Sequence, residues 1–145
     1  MLKSAYWPDA TDTHGTFNGN AWEFAGYITA SMRENMLRSM QHIGNVLIEL
    51  EEDGRHARVE TYVIAYMQIL VEGEEQDMLI AGRYLDRFQE RCGEWRILDR
   101  LYVMDWNRND RSTSQWSEGI YEMLQVRGQR HPQDPWDQGL PAPRA

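Results

Sequence analysis

The order of apolar and polar residues changes period twice along this chain, and those changes mark its elements. After Asn20, residues Phe24, Tyr27, Ile28, Ser31, Met32, Asn35 and Met36 recur at helical spacing. Asn20 followed by Glu23 has the spacing of a helix cap, so the pattern predicts one amphipathic helix. From Met40 the period falls to two. His42, Gly44, Val46, Ile48 and Leu50 alternate with Ile43, Asn45, Leu47 and Glu49, which predicts a strand. Asp53-Gly54 then signals a hairpin turn. A second strand over 56–69 is apolar on both faces, with Val59 and Val63 on one and Tyr62 and Ile64 on the other. That predicts an interior strand covered on both sides.

The remaining punctuation completes an α+β order. Glu72 to Asp77 reads as an acidic loop, Met78 to Arg91 as a third long strand, and Cys92-Gly93 as a turn into a fourth strand over Glu94 to Trp106. Such strands joined by short turns predict an antiparallel meander. Upstream, Met1 to Trp7 reads as a helical turn or two stopped by Pro8, and Thr11 to Asn18 as a short strand. Downstream, Trp116, Ile120, Met123 and Leu124 suggest a short helix ended by Gly128. Residues 1–128 are expected to form one domain, and 129–145, with four of the five prolines, an extended tail.

Charge narrows the partners. The formal net charge is −8 and the basic residues are scattered. Nucleic acid and anionic membrane both need clustered lysine and arginine, so neither is an expected partner. Cys92 is the lone cysteine, no apolar leader opens the chain, and no run approaches the ~20 apolar residues of a spanning helix. A cytoplasmic location is expected. The sequence holds no CxxC, HxxxH, GxGxxG or P-loop, so neither a metal nor a cofactor is expected.

Five stretches carry a resemblance: Tyr6-Trp7-Pro8-Asp9-Ala10, His42-Ile43-Gly44-Asn45, Gly82-Arg83-Tyr84-Leu85-Asp86-Arg87-Phe88, Gly93-Glu94-Trp95-Arg96-Ile97 and Met104-Asp105-Trp106. In that order they resemble SnoaL-like proteins of the nuclear-transport-factor-2-like superfamily, over roughly residues 4–136. The resemblance implies a cone-shaped, strongly curved, mainly antiparallel sheet wrapped around helices, a cystatin-like roll. In pattern, scytalone dehydratase and hexachlorocyclohexane dehydrochlorinase look most similar, and both use a His–Asp pair. Their histidine position matches His42. Their aspartate lies on an N-terminal helix upstream of the first residue here, which leaves three expectations: the natural chain carries that helix before Met1, Asp12 or Asp105 substitutes in a fold lacking it, or the pocket is non-catalytic.

The candidate site follows. His42 is the candidate general base, since imidazole exchanges protons near neutral pH. Asp12 is its candidate partner. Asp12 and His14, two apart on a strand, share a face; they read as an acid–base pair or two metal ligands, against the plainer reading of an edge strand near solvent. Arg100, whose position faces the cavity in the family pattern, would grip a substrate oxygen or else pair with Asp86 or Asp99. Tyr66 and Tyr84 are candidate pocket walls, with Trp22 and Asp105 counted beside them. The leading expectation is a cofactor-independent lyase or isomerase acting on a small apolar or cyclic organic molecule. The alternatives are a non-catalytic ligand-binding or dimerisation module and the small structural subunit of a ring-hydroxylating dioxygenase. The apolar sheet faces predict a homodimer or homotrimer.

Overall fold

The computed structural model describes residues 2–139, which fall into two compact units, Met1–Ser112 and Thr113–Ala145. The division thus falls at Ser112, and residues 113–128, expected in the main domain, group with the C-terminal unit. In the first unit a short 3-10 turn, Leu2–Ala5, leads into β1 (Tyr6–His14) and β2 (Phe17–Asn20). Then come α1 (Ala21–Asn35), β3 (Met36–Leu50), β4 (His56–Val71), β5 (Glu74–Arg91) and β6 (Glu94–Arg111). The six strands form one sheet in the order β2-β1-β6-β5-β4-β3, antiparallel except where β1 runs parallel to β6.

The hairpins arise from residues that accept positive φ. Glu72-Gly73 and Cys92-Gly93 both take positive φ at consecutive positions, the geometry whose twist matches two-residue hairpins. The expected acidic loop is therefore only this turn at Glu72-Gly73, and its remaining acids lie on β5. The predicted cap holds: the Asn20 side chain accepts from the backbone N–H of Trp22 and Glu23.

The helix has one geometric task. β2 and β3 are opposite edges of the sheet, and α1 is the only link between them. Its 15 residues span about 22 Å, close to the roughly 24 Å width of six strands. It therefore carries the chain across one face of the sheet. Ala21, Phe24 and Ala25 are its buried residues. Tyr6, Ala10, Ala21 and Ile97 form a buried cluster beneath its start, with Trp7, Trp22 and Phe88 packed around it. Register shifts interrupt β3 between Ile43 and Val46, and the β5–β6 pair at Ala81/Gly82 and Arg87/Phe88. Each is a bulge that bends and twists its strand.

The C-terminal unit has little regular structure. The short helix expected here is a 3-10 helix over Gly119–Met123, ending before Gly128. Residues 129–139 form turns around Asp134, which accepts from the backbone of Gln129 and Trp136, so this part is not the extended tail expected. Residues 140–145 lie outside the described residues. No described helix is long and apolar enough to cross a membrane.

Candidate functional site

The strand register brings together residues that the sequence separates. Asp86 on β5 lies opposite Arg100 on β6, and Arg100 lies beside Asp12 on β1. Directly opposed residues share a face, so these three side chains form a row across the sheet. Two residues further along each strand are Tyr84, Tyr102 and His14, on the same face. Phe24 of α1 stacks on His14, so this is the face the helix crosses.

Arg100 anchors the row. Its Nε donates to Asp86 Oδ1 at 2.7 Å and its Nη2 to Asp86 Oδ2 at 2.6 Å. Both carboxylate oxygens accept in a two-pronged pair; burial pushes the Asp86 carboxyl up, and the Arg100 bonds and charge oppose it. Nη1 donates to the Tyr6 hydroxyl at 3.2 Å, and the guanidinium lies 3.9 Å from the centre of the Tyr84 ring. Burial works against the Arg100 charge, and the Asp86 carboxylate more than offsets it, so its pKa is held above the usual arginine value. Tyr6 in turn donates to Asp12 Oδ2 at 2.8 Å. Burial keeps Tyr6 in its phenol form. The result is a continuous chain, Asp86–Arg100–Tyr6–Asp12, crossing three strands.

The chain stops one step short of His14. Asp12 is fully buried, and its Oδ1 has no hydrogen-bond partner. His14 Nδ1 is also buried and unpartnered, and it lies 3.8 Å from that oxygen. That is too long for a hydrogen bond and close enough for strong coupling. Burial pushes the Asp12 carboxyl up, with the Tyr6 hydroxyl bond and the Arg100 charge opposing it. Burial likewise pulls His14 down to about 4, and the Arg100 charge adds to the effect. His14 is therefore neutral at pH 7.

The imidazole is clamped. Tyr102 stacks on it at 4.3 Å and 11°, and Phe24 at 4.8 Å and 23°. Tyr102 and Phe24 make no ring contact with each other, so they cover opposite faces. With both faces covered and Nδ1 buried, 28% of the side chain is still exposed. Gly82 makes room for this stack. A Cβ there would meet the Val103 carbonyl oxygen at 2.2 Å and the Tyr102 ring at 2.9 Å.

The other residues expected in the site lie elsewhere. His42 pairs with Ile64 on β3, the far edge strand. Alternation along β4 puts Ile64 on the opposite face from Val59, and Val59 pairs with Asp86. His42 therefore points away from the Arg100 row, is exposed, and makes no hydrogen bond or ion pair among the described residues. The structure does not bring His42 and Asp12 together. Tyr66 donates to Asp77 in a separate network with Gln68 and Ser112. Asp105 sits in a β6 bulge and forms a two-bond pair with Arg83. Trp22 packs at the start of α1, its indole N–H reaching the Tyr6 carbonyl at 3.4 Å. β1 is not an edge strand: it lies between β2 and β6, and Asp12 is buried rather than solvent-facing.

Two other places could draw attention. Glu51, Asp53 and His56 have ligating atoms within 4.8 Å of one another. His56 already bonds Asp53 and Gln89 through its two nitrogens, and Glu51 bonds Arg87. In the C-terminal unit, Trp116, Tyr121, Leu124 and Arg127 line an open groove of about 810 Å³. It contains no acid–base pair.

This arrangement sits in a recognisable family. The profile of the SnoaL-like domain matches residues 2–101, and the chain belongs to that family. No curated protein sequence matches it. Its fold is similar to a candidate scytalone dehydratase from Novosphingobium aromaticivorans, with TM-score 0.63 and 17% identity over 74% of this chain and 70% of that one. A hexachlorocyclohexane dehydrochlorinase from Novosphingobium barchaimii aligns with TM-score 0.65 and 20% identity over 74% and 73%. The β subunit of a candidate aromatic-ring-hydroxylating dioxygenase, again from N. aromaticivorans, aligns with TM-score 0.51 and 19% identity over 71% and 73%. The expected α+β roll is thus the fold, although similarity at these identities speaks to fold alone.

Proposed function

We propose that the protein is a cofactor-independent lyase or isomerase for a small organic molecule, with His14 Nε2 as the proton acceptor. The observation that carries this is the pair of buried, unpartnered atoms, Asp12 Oδ1 and His14 Nδ1, 3.8 Å apart behind a clamped imidazole. Neutral His14 takes a proton from a substrate C–H at Nε2. The resulting imidazolium turns its Nδ1–H toward Asp12, and the 3.8 Å gap closes to a hydrogen bond. The electron pair left on carbon then expels a leaving group, or the proton returns at another carbon. Asp12 is held ready by Tyr6, and Tyr6 by Arg100.

A second reading keeps His42 as the base. It rests on the match of His42-Ile43-Gly44-Asn45 to the family pattern and on the imidazole having no other bond. One assay separates the two: exchange of the α-protons of a cyclic ketone, 2-tetralone, in D₂O. On the His14 reading, His14→Gln lowers the rate by about 10²–10⁴-fold and His42→Gln leaves it unchanged. The reverse pattern selects His42. Ligand binding with no exchange in the wild type would leave the non-catalytic module. Self-association fits the exposed Tyr62 and Ile64 of β4 and Ile43, Val46 and Ile48 of β3. A monodisperse monomer by light scattering would contradict it.

A further inference from the structure

An arginine in a site invites the reading that it binds a substrate anion, and the fork of its guanidinium suits a carboxylate. The geometry points to something else here: Asp86 is a built-in carboxylate filling the fork of Arg100, and the site takes uncharged ring molecules and refuses carboxylates. The inference deepens the small-molecule reading above and rests on it.

Each part of the guanidinium is occupied. Nε and Nη2 each bond one Asp86 oxygen, Nη1 bonds Tyr6, and one face lies on Tyr84. Asp86 is buried, with 2% of its side chain exposed, so solvent does not compete for the fork. A carboxylate entering the cluster would find no unpaired cation. It would find the second buried acid, Asp12, one strand beyond Arg100. The other arginines over aromatic rings in this unit, Arg83, Arg91 and Arg96, lie on Tyr62 and Trp7. What His14 offers is an imidazole nitrogen beside the Tyr102 ring, an acceptor for a hydroxyl on a flat molecule. Charge selection therefore comes from Asp86, which acts through Arg100 as a positioning residue.

The test uses full-length wild type and Asp86→Ala, with Asp86→Asn in reserve should the alanine variant not fold. Two ring-matched probes, 2-naphthol and 2-naphthoate, are titrated while the His14 and Tyr102 ring signals are followed by NMR. Wild type should bind the naphthol at least about tenfold more tightly than the naphthoate, a ratio large enough to reflect one uncompensated charge interaction. In the Asp86 variant that ratio should fall by about tenfold or more. Sodium formate, against sodium chloride at equal ionic strength, should raise the Tm of the variant and not that of wild type, since formate refills the fork. Equal binding of both probes by wild type overturns the inference, and so does a folded variant indifferent to formate. Formate rescue with neither naphthalene binding would keep the Asp86 assignment and sink the small-molecule reading.

Discussion

His14 and His42 occupy two regions of one sheet, and the same side chain has two different fates in them. His14 lies on β1, flanked by β2 and β6, with aromatic rings on both faces and a buried acid beyond its Nδ1. His42 lies on the edge strand β3, exposed, on the face away from the Arg100 row. The resemblance picks out the second, and the packing picks out the first. The difference teaches that chemistry at a histidine depends on what desolvates and orients it. Strand register supplied both at β1, where a parallel partner set Arg100 beside Asp12.

The sharpest way to break this comparison is to remove what holds the β1 region together. Arg100→Ala leaves Asp86 buried and uncompensated, and also strips Tyr6 of its donor. A buried pair broken on one side costs about 3–5 kcal/mol. The expected result is a fall of that size in unfolding free energy by urea titration. Arg100→Lys should recover only part of it, because an ammonium cannot match both carboxylate oxygens. A loss below about 1 kcal/mol would mean that the cluster is ordinary surface electrostatics.

How far the sequence revealed this contrast depends on the range of the contacts. The helix, its Asn20 cap and the long strands were legible because each is local: a period, a cap residue, a turn pair. The parallel β1–β6 pairing was not legible, because a parallel pair leaves no turn between its strands. Without it, nothing local separates a buried Asp12 from a solvent-facing edge residue, Tyr6 reads as part of a helical turn, and Tyr102 carries no signal. The Arg100–Asp86 pair is one of the alternatives the sequence offers, since the two charges lie on predicted neighbouring strands. One cue in the sequence points to Tyr6, a tyrosine opening a stretch that matches the family.

A pH measurement sharpens the same contrast with a smaller effect. His14 titrates at about 4 in the folded chain, against 6.5 as its ordinary value. Between those values the unfolded chain holds a proton that the folded chain does not. Stability therefore falls as pH drops from 6.5 to about 4, and levels off below, by about 1–3 kcal/mol. The raised Asp12 acts with the opposite sign. Its folded form keeps a proton above 3.8, so its contribution declines as pH rises through that range. His14→Phe keeps the ring stack and removes the first effect alone. Wild type minus variant should slope upward with pH over 4 to 6.5. A flat difference would mean that His14 is solvated and that the clamp is absent.

The smallest expected effect belongs to His42, and its smallness is informative. The side chain is exposed and makes no bond among the described residues, and the strand around it is ordered by backbone pairing to Met40, His42 and Ile43 partners on β4. Glutamine at this position keeps the size and polarity and asks nothing new of the backbone. His42→Gln should therefore change unfolding free energy by no more than about 0.5 kcal/mol, the range of surface substitutions. It should leave the pH slope assigned to His14 unaltered, because the two imidazoles share no contact. A loss of 2 kcal/mol or more would mean that the His42 edge is buried in solution, and the only surface then available to bury it is that of another copy or a partner. In that event β3 would cease to be a bystander, and the two regions would have to be weighed together as parts of one assembled site.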